Sequence, residues 1–205
     1  GRGVKQMCEL RELIDILVAG DGELAIMRAV AAVGVGAEYP LLIDADDPDS
    51  DLFLSDAALG ELPLPARHLI DIKSYKYLIE GLDATNLISE LGCVYGCFFC
   101  GMRNSPSFRR IRVRTPESVR HELTHLYQQY GYRGFMFSDD ELNIPTNFSL
   151  LMREIIHAQE VVGTYFRLRG FIKSNLFTEE QARLMFEAGF RNLLVGFEAG
   201  SDRIL

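Results

Sequence analysis

Long apolar runs, basic clusters and scattered cysteines are all missing from this chain of 205 residues. No stretch approaches the roughly 18 consecutive apolar residues that span a bilayer, so no membrane segment is expected. Lysine and arginine form no long run and the net charge is −8. A surface that tracks phosphates is therefore not indicated, and no nucleic-acid partner is expected. There is no start methionine, basic n-region or apolar signal segment. A chain that opens on Gly1-Arg2-Gly3 and stops at Ile204-Leu205 reads as an excised piece. Cysteine is scarce and uneven: Cys8 stands alone, while Cys93, Cys97 and Cys100 fall within eight positions. A secreted disulfide scaffold would spread more cysteines through a smaller chain. Clustered thiols point instead to metal or redox chemistry in a reducing cytoplasm.

What is present is enough apolar content, 48%, to bury a core, and a length that suits one domain or one and a half. Leu13-Ile14-Asp15-Ile16-Leu17-Val18 reads as a buried parallel strand. The glycines of Ala19-Gly20-Asp21-Gly22-Glu23 suit a sharp turn. Residues 24–33 are good helix formers, ended by Gly34 and Gly36. This is one strand–helix unit of an α/β layer, too small to fold alone, and its missing partners are expected upstream. The pattern then weakens. Residues 44–51 are acidic and rich in breakers, and Leu62-Pro63-Leu64-Pro65 excludes a helix interior. Residues 37–82 therefore read as a linker.

From residue 83 the period becomes regular. Residues 84–91 form a strand that leads into the cysteines. Thr115-Pro116 opens a helix, Thr as N-cap and Pro at the first helical position. Val119, Leu123, Leu126 and Tyr130 form its apolar stripe. Residues 134–138 are the second strand, 148–159 a helix, 164–172 the third strand. Thr178-Glu179-Glu180-Gln181 has capping-box form and opens a helix that Gly189 ends. Residues 192–197 are the fourth strand. Four strands alternating with three helices imply a parallel sheet with right-handed crossovers. The polar residues collect at the strand ends, as chemistry does in βα barrels. A full barrel needs about 250 residues, so this one is partial.

Gly92-Cys93-Val94-Tyr95-Gly96-Cys97-Phe98-Phe99-Cys100 sets three thiols on one loop in CxxxCxxC spacing. A cubane cluster normally takes four cysteines. With three, one iron stays open for a small molecule, and Cys8 is the remaining candidate. A zinc site of three cysteines and one histidine is a competing reading, because His121 and His125 follow, though zinc usually shows paired cysteine units.

This loop, its place after the first strand of the regular region, and the aromatic Phe99 before the last cysteine resemble the radical S-adenosylmethionine superfamily. The resemblance implies a 4Fe–4S cluster on Cys93, Cys97 and Cys100. It implies that S-adenosylmethionine chelates the open iron and is cleaved reductively to methionine and a 5′-deoxyadenosyl radical, which attacks a small organic substrate. An electron donor such as flavodoxin or ferredoxin is implied too. Asp139-Asp140-Glu141 stands where the family has a Gly-Gly-Glu segment that binds the methionine amino group, so Asp139, Asp140 and Glu141 become cofactor candidates. Glu198, within the run 196–201 after the fourth strand, is the candidate for the ribose hydroxyls, and Phe99 for the adenine. Arg167 and Arg169 alternate and so share one face, where either could meet a carboxylate. Ser174, at the end of the same strand, is a weaker candidate, and Arg103 and Asn104 default to surface residues.

Residues 14–23 resemble the last strand and turn of the Rossmann-like cobalamin-binding domain that precedes many such cores, and residues 62–67 its connecting segment. The Asp-x-His-x-x-Gly cobalamin motif does not occur, which leaves cobalamin itself open. The expectation is thus an α/β chain. Residues 1–36 are the tail of a Rossmann-like, cobalamin-binding-type domain, 37–82 a linker, and 83–205 the first half of a partial (β/α) radical S-adenosylmethionine barrel. The expected function is radical chemistry, with a cobalamin-linked methylation or cyclisation as one form. The alternatives are a non-enzymatic zinc or iron–sulfur module and a degenerate interaction module.

Overall fold

Beyond residue 83, strands and helices alternate as the hydrophobic period demands. The computed structural model describes residues 13–36, 40–201 and 203. Cys8 lies outside them. The chain divides into two units: the residues up to Glu61 together with Leu91–Arg112, and Leu62–Glu90 together with everything from Val113.

The first unit holds β1 (Leu17–Gly20), α1 (Gly22–Gly34), β2 (Leu42–Ala45) and α2 (Asp56–Glu61). Strand β1 runs parallel to β2, Leu17 opposite Leu42 and Gly20 opposite Ala45. Two corrections follow. The strand begins at Leu17, not Leu13, and takes in Ala19 and Gly20, which read as turn. It does so because β2 offers a ladder there; Leu17 N–H donates to Leu41 C=O and continues it. The ladder partner itself sits in residues 37–82, where the sequence suggested only a linker. Gly20 is obligatory: at φ 89° a Cβ would stand 2.4 Å from the Ala45 carbonyl carbon. Helix α1 buries Ala25 and Ala29 against Ile43, Ala45 and Leu52, while Ile26, Val30 and Val33 stay exposed.

The second unit is a sheet of five strands in the order β3-β4-β7-β8-β9. These are β3 (Leu78–Ile79), β4 (Leu82–Leu87), β7 (Gly134–Phe137), β8 (Arg167–Phe171) and β9 (Phe190–Leu194). The short strands β5 (Glu90–Leu91) and β6 (Arg112–Val113) form a ladder of their own. Strands β4, β7, β8 and β9 are mutually parallel, as expected. Strand β3, which the sequence did not reveal, closes the edge antiparallel to β4 through a hairpin, with Glu80 and Gly81 at positive φ. The crossovers are α3 (Pro116–Tyr130), α4 (Phe148–Val162) and α5 (Glu179–Ala188). The sheet curls as half of a βα barrel with these helices on one face. Phe135, Phe137, Leu168 and Phe190 of the strands pack there against Val119, Leu123, Met152, Ile155 and Leu184.

The helix ends follow their local signals. Thr115 Oγ1 accepts from Ser118 N–H at the start of α3. Thr178 and Gln181 complete a reciprocal capping box on α5. Gly131, Gly163 and Gly189 close the three helices in left-handed conformation. At Gly189, φ is 105° and a Cβ would lie 2.7 Å from the Phe166 carbonyl oxygen. At Gly163, φ is 66° with open space around it. Gly189→Ala is expected to cost about 1–3 kcal/mol and Gly163→Ala about 1 kcal/mol, read from urea denaturation midpoints. Equal losses at the two positions would show that the Phe166 carbonyl imposes nothing.

Candidate functional site

The cysteine loop belongs to the first unit and is braced from both ends. Gly92 opens it at φ 96°, where a Cβ would stand 2.3 Å from Arg110 C=O. Only glycine lets the two backbone stretches approach so closely. Cys93 N–H donates to Phe108 C=O at 2.8 Å, and Cys100 N–H to Cys97 C=O at 3.1 Å. The return limb is anchored by Asp46, which directly follows β2 and is 1% exposed. Its Oδ1 accepts from Ser107 N–H at 3.1 Å, Ser107 Oγ at 2.7 Å and Ser105 Oγ at 2.5 Å. Burial alone would raise the Asp46 pKa, but these donors hold it below the usual carboxylate range. Farther on, the buried Arg112 pairs with Asp21 and donates to Leu54 C=O. One member of the acidic run 44–51 is therefore an internal anchor.

Within this frame Cys93, Cys97 and Cys100 are half-buried and unbridged. Three thiols on one loop, accessible from outside, are the donor chemistry that an iron–sulfur cubane requires. Among the described residues no three metal-binding side chains converge as around a single ion. A cubane takes each thiolate on a different iron and does not ask for such convergence. Phe99 is 68% exposed. Arg103 lies over the Phe98 ring and donates to Phe98 C=O. Arg109 sits in the same loop, its Nη1 donating to Cys93 C=O at 3.5 Å.

The second unit carries the acidic group at the end of β7. Asp139 is 1% exposed. Its Oδ1 accepts from Ser89 N–H at 2.6 Å and Glu90 N–H at 3.3 Å, and its Oδ2 accepts from Ser89 Oγ. Burial raises its pKa to about 7 against the lowering effect of these bonds. Both oxygens are thus engaged in holding Ser89 and Glu90, the last residues of this unit before the cysteine loop. Glu90 in turn accepts from Glu141 N–H at 3.0 Å through Oε1. Its pKa rises to about 9, first through burial and then through repulsion from Asp139. At neutral pH it is a neutral acid. Glu141 is also shifted upward by burial, with Lys173 opposing. The Oε2 atoms of Glu90 and Glu141 are buried without a hydrogen-bond partner. Such oxygens are acceptors, or in protonated Glu90 a donor, in want of a ligand. Asp140 is exposed.

Ser89 and Glu90 escaped sequence reasoning. The available signal was an acid among apolar neighbours three positions before the first cysteine. Glu198 is exposed, at φ 55°, and folds back so that a Cβ on Gly196 would lie 2.7 Å from its Oε1. Arg167 pairs with Glu80 at 3.1 Å. Ser174 is exposed in a 3-10 turn. His121 is exposed, and His125 packs edge-on to Tyr130. No helix among the described residues is long and apolar enough to cross a membrane.

The chain matches the family described as Radical SAM superfamily over residues 88–205. It is 28% identical over 204 residues to an uncharacterized methyltransferase of Pyrococcus horikoshii, covering 94% of this chain and 42% of that protein. It is 28% identical over 155 residues to cytidylyl-2-hydroxyethylphosphonate methyltransferase of Streptomyces wedmorensis, covering 72% of this chain and 28% of that one. The structure of the radical S-adenosylmethionine methyltransferase TsrM from Kitasatospora setae, with cobalamin and a [4Fe-4S] cluster bound, superposes with a TM-score of 0.50 at 26% identity. That match covers 57% of this chain and 23% of TsrM. The chain spans less than half the length of these relatives.

The charge state of Glu90 has a measurable consequence. Between its unfolded value of 4.5 and its folded value of about 9, the folded chain keeps a proton that the unfolded chain releases. Stability therefore falls as pH rises through that window. Glu90→Gln keeps the Oε1 acceptor and removes the titration. Its melting temperature is expected to gain on wild type steadily from about pH 5 to about pH 8. Parallel melting curves across that range would show that Glu90 ionises normally in the fold.

Proposed function

The chain belongs to the radical S-adenosylmethionine superfamily, and from that premise we propose that it supplies the cluster-binding part of an enzyme that methylates a small organic substrate. The observation that carries this reading is the braced loop with three unbridged, accessible thiols inside the matched region. Cys93, Cys97 and Cys100 hold the 4Fe–4S cluster and leave one iron for S-adenosylmethionine. When bound, the cluster and S-adenosylmethionine would supply one-electron reductive chemistry at the sulfonium, and in the full protein cobalamin would carry the methyl group.

The residues of this chain bind and orient. Glu141 receives the methionine ammonium, for which its buried, unpartnered Oε2 is suited, and Asp140 adds negative charge beside it. Asp139 acts from behind by fixing Ser89 and Glu90. Glu198 accepts from the ribose hydroxyls, with Gly196 giving the clearance. Phe99, exposed on the loop, covers the adenine. Methylation is preferred over cyclisation because each relative named above is a methyltransferase. The parallel β1–α1–β2 unit supports the Rossmann-like reading of the first residues. An electron donor such as flavodoxin or ferredoxin delivers the electron, and unbridged thiols suit a reducing cytoplasm.

Iron and acid-labile sulfide are measured after anaerobic reconstitution, with electron paramagnetic resonance spectra taken with and without S-adenosylmethionine. The expected result is about four of each per chain and a spectrum that changes with the cofactor. Ala at Cys93, Cys97 or Cys100 is expected to abolish the cluster, and Ala at Cys8 to leave it intact. Zinc without sulfide would replace this reading with a structural metal module. No metal at all would leave a degenerate interaction module.

A further inference from the structure

The concave face of the curled sheet carries one row of side chains that the proposed cofactors do not use. Register aligns Asn86 of β4 with Met136 of β7, Met136 with Arg169 of β8, and Arg169 with Asn192 of β9. On β8, Leu168 and Gly170 turn to the helix-side core, so Arg169 projects the other way. Its guanidinium is poorly satisfied. Nη1 reaches Tyr77 Oη at 3.4 Å and Nη2 reaches Asn192 Oδ1 at 3.5 Å, both long. Nε is buried without a partner. Several other arginines that are buried or half-buried have carboxylates: Arg67 and Arg114 share Glu122, Arg112 has Asp21, Arg120 has Glu154 and Arg167 has Glu80. Among the described residues Arg169 makes no such ion pair. A half-buried guanidinium with one buried, unpartnered N–H is costly unless something else completes it.

Next to this row lies a cavity of about 440 Å³, a size at the lower end of small-molecule sites. Tyr77 and Met136, the hydroxyl partner and the register neighbour of Arg169, both line it. So do Ile70, Tyr75, Asn86 and Ser138. The wall is mainly apolar and aromatic with a few polar groups. The second arginine at this cavity, Arg67, is committed elsewhere: it donates to Glu122 at 2.8 Å and to Asn86 C=O at 2.8 Å.

We propose that this cavity is an anchoring subsite for an organic acid, whose apolar or aromatic body lies against Tyr75, Tyr77 and Met136 and whose carboxylate pairs with Arg169. A planar guanidinium matches a carboxylate in two parallel hydrogen bonds, and its Nε–Nη edge, here with Nε unpartnered, is one of its two binding forks. Ligand binding would repair the orphan Nε and replace the two long contacts. That the acid is the substrate, or its fixed end, rests on the methyltransferase reading. That an acid binds here rests on the cavity and Arg169 alone.

The test compares 3-phenylpropionate with its neutral amide, 3-phenylpropionamide, by isothermal titration or ligand-observed NMR. Wild type is expected to bind the acid at least about tenfold more tightly, the contribution of a charge-assisted pair. Arg169→Gln is expected to bind both compounds equally, at the strength of the amide in wild type. Arg167→Gln, on the same strand but paired with Glu80, is expected to keep the preference. Arg169→Met is expected to melt no lower than wild type, because it removes a half-buried charge without a carboxylate and its unpartnered Nε. The proposal falls if wild type binds neither compound at millimolar concentration, if it binds both alike, or if Arg169→Gln retains the preference. A clear drop in the melting temperature of both Arg169 variants would make the residue structural and overturn it as well. Iron and sulfide content is read in parallel. Acid preference without a cluster would sink the function proposed above and leave this subsite standing, and a cluster without acid preference would do the reverse.

Discussion

Where β4 ends, two backbone N–H groups, those of Ser89 and Glu90, turn inward with no strand to receive them. A buried N–H without an acceptor costs a large part of a domain's net stability. Asp139 supplies the acceptor for both, and takes the Ser89 hydroxyl as well. Everything acidic around it follows from that choice. Glu90 beside it is kept protonated first by its own burial and then by repulsion from Asp139. Glu90 Oε1 accepts from the Glu141 N–H, and the Glu141 side chain lies beside the group with its Oε2 unpartnered. The chain thus gathers acids at one strand end without gathering as many negative charges.

The first unit uses the same device with a different outcome. Asp46 also follows a strand directly and is also buried among serines and a backbone N–H. Its donors outweigh its burial, so it stays ionised where burial pulls Asp139 toward neutrality. The contrast shows which influence decides: each accepts three hydrogen bonds, and the deeper burial of Asp139 outweighs them where that of Asp46 does not.

Local physics carried much of the fold into the sequence. Thr115-Pro116, the capping box at Thr178 and Gly189 all act within a few residues, and each did what its position implied; Gly131 and Gly163 close their helices by the same local means. The four parallel strands announced themselves by period. What escaped was set by distance along the chain. Strand β2 looked like part of a linker because its apolar run is four residues long and its partner stands 25 positions earlier. Asp46 looked solvated because four other aspartates lie within five positions of it, at 44, 47, 49 and 51; its difference from them is the serines that reach it from residues 105 and 107. Asp139 was read as a cofactor candidate and not as an anchor, since nothing nearby in sequence records Ser89. Arg169 was legible as one of an alternating pair, yet only register shows that it lacks the carboxylate that Arg167 has.

The unit that presents the cysteines is assembled from two stretches of chain with part of another unit threaded between them. Asp46 and the serines that grip it are separated by 59 and 61 residues. Closing a loop of that size is entropically expensive before any contact rewards it. During synthesis Asp46 therefore emerges first and lacks its serine partners until residues 105 and 107 have followed. The same arrangement means that a protease cut within residues 62–90 would sever no hydrogen bond of the clasp, yet would turn an intramolecular closure into an encounter between two pieces. A nicked protein would look whole while folded, and fail to reassemble once unfolded and diluted.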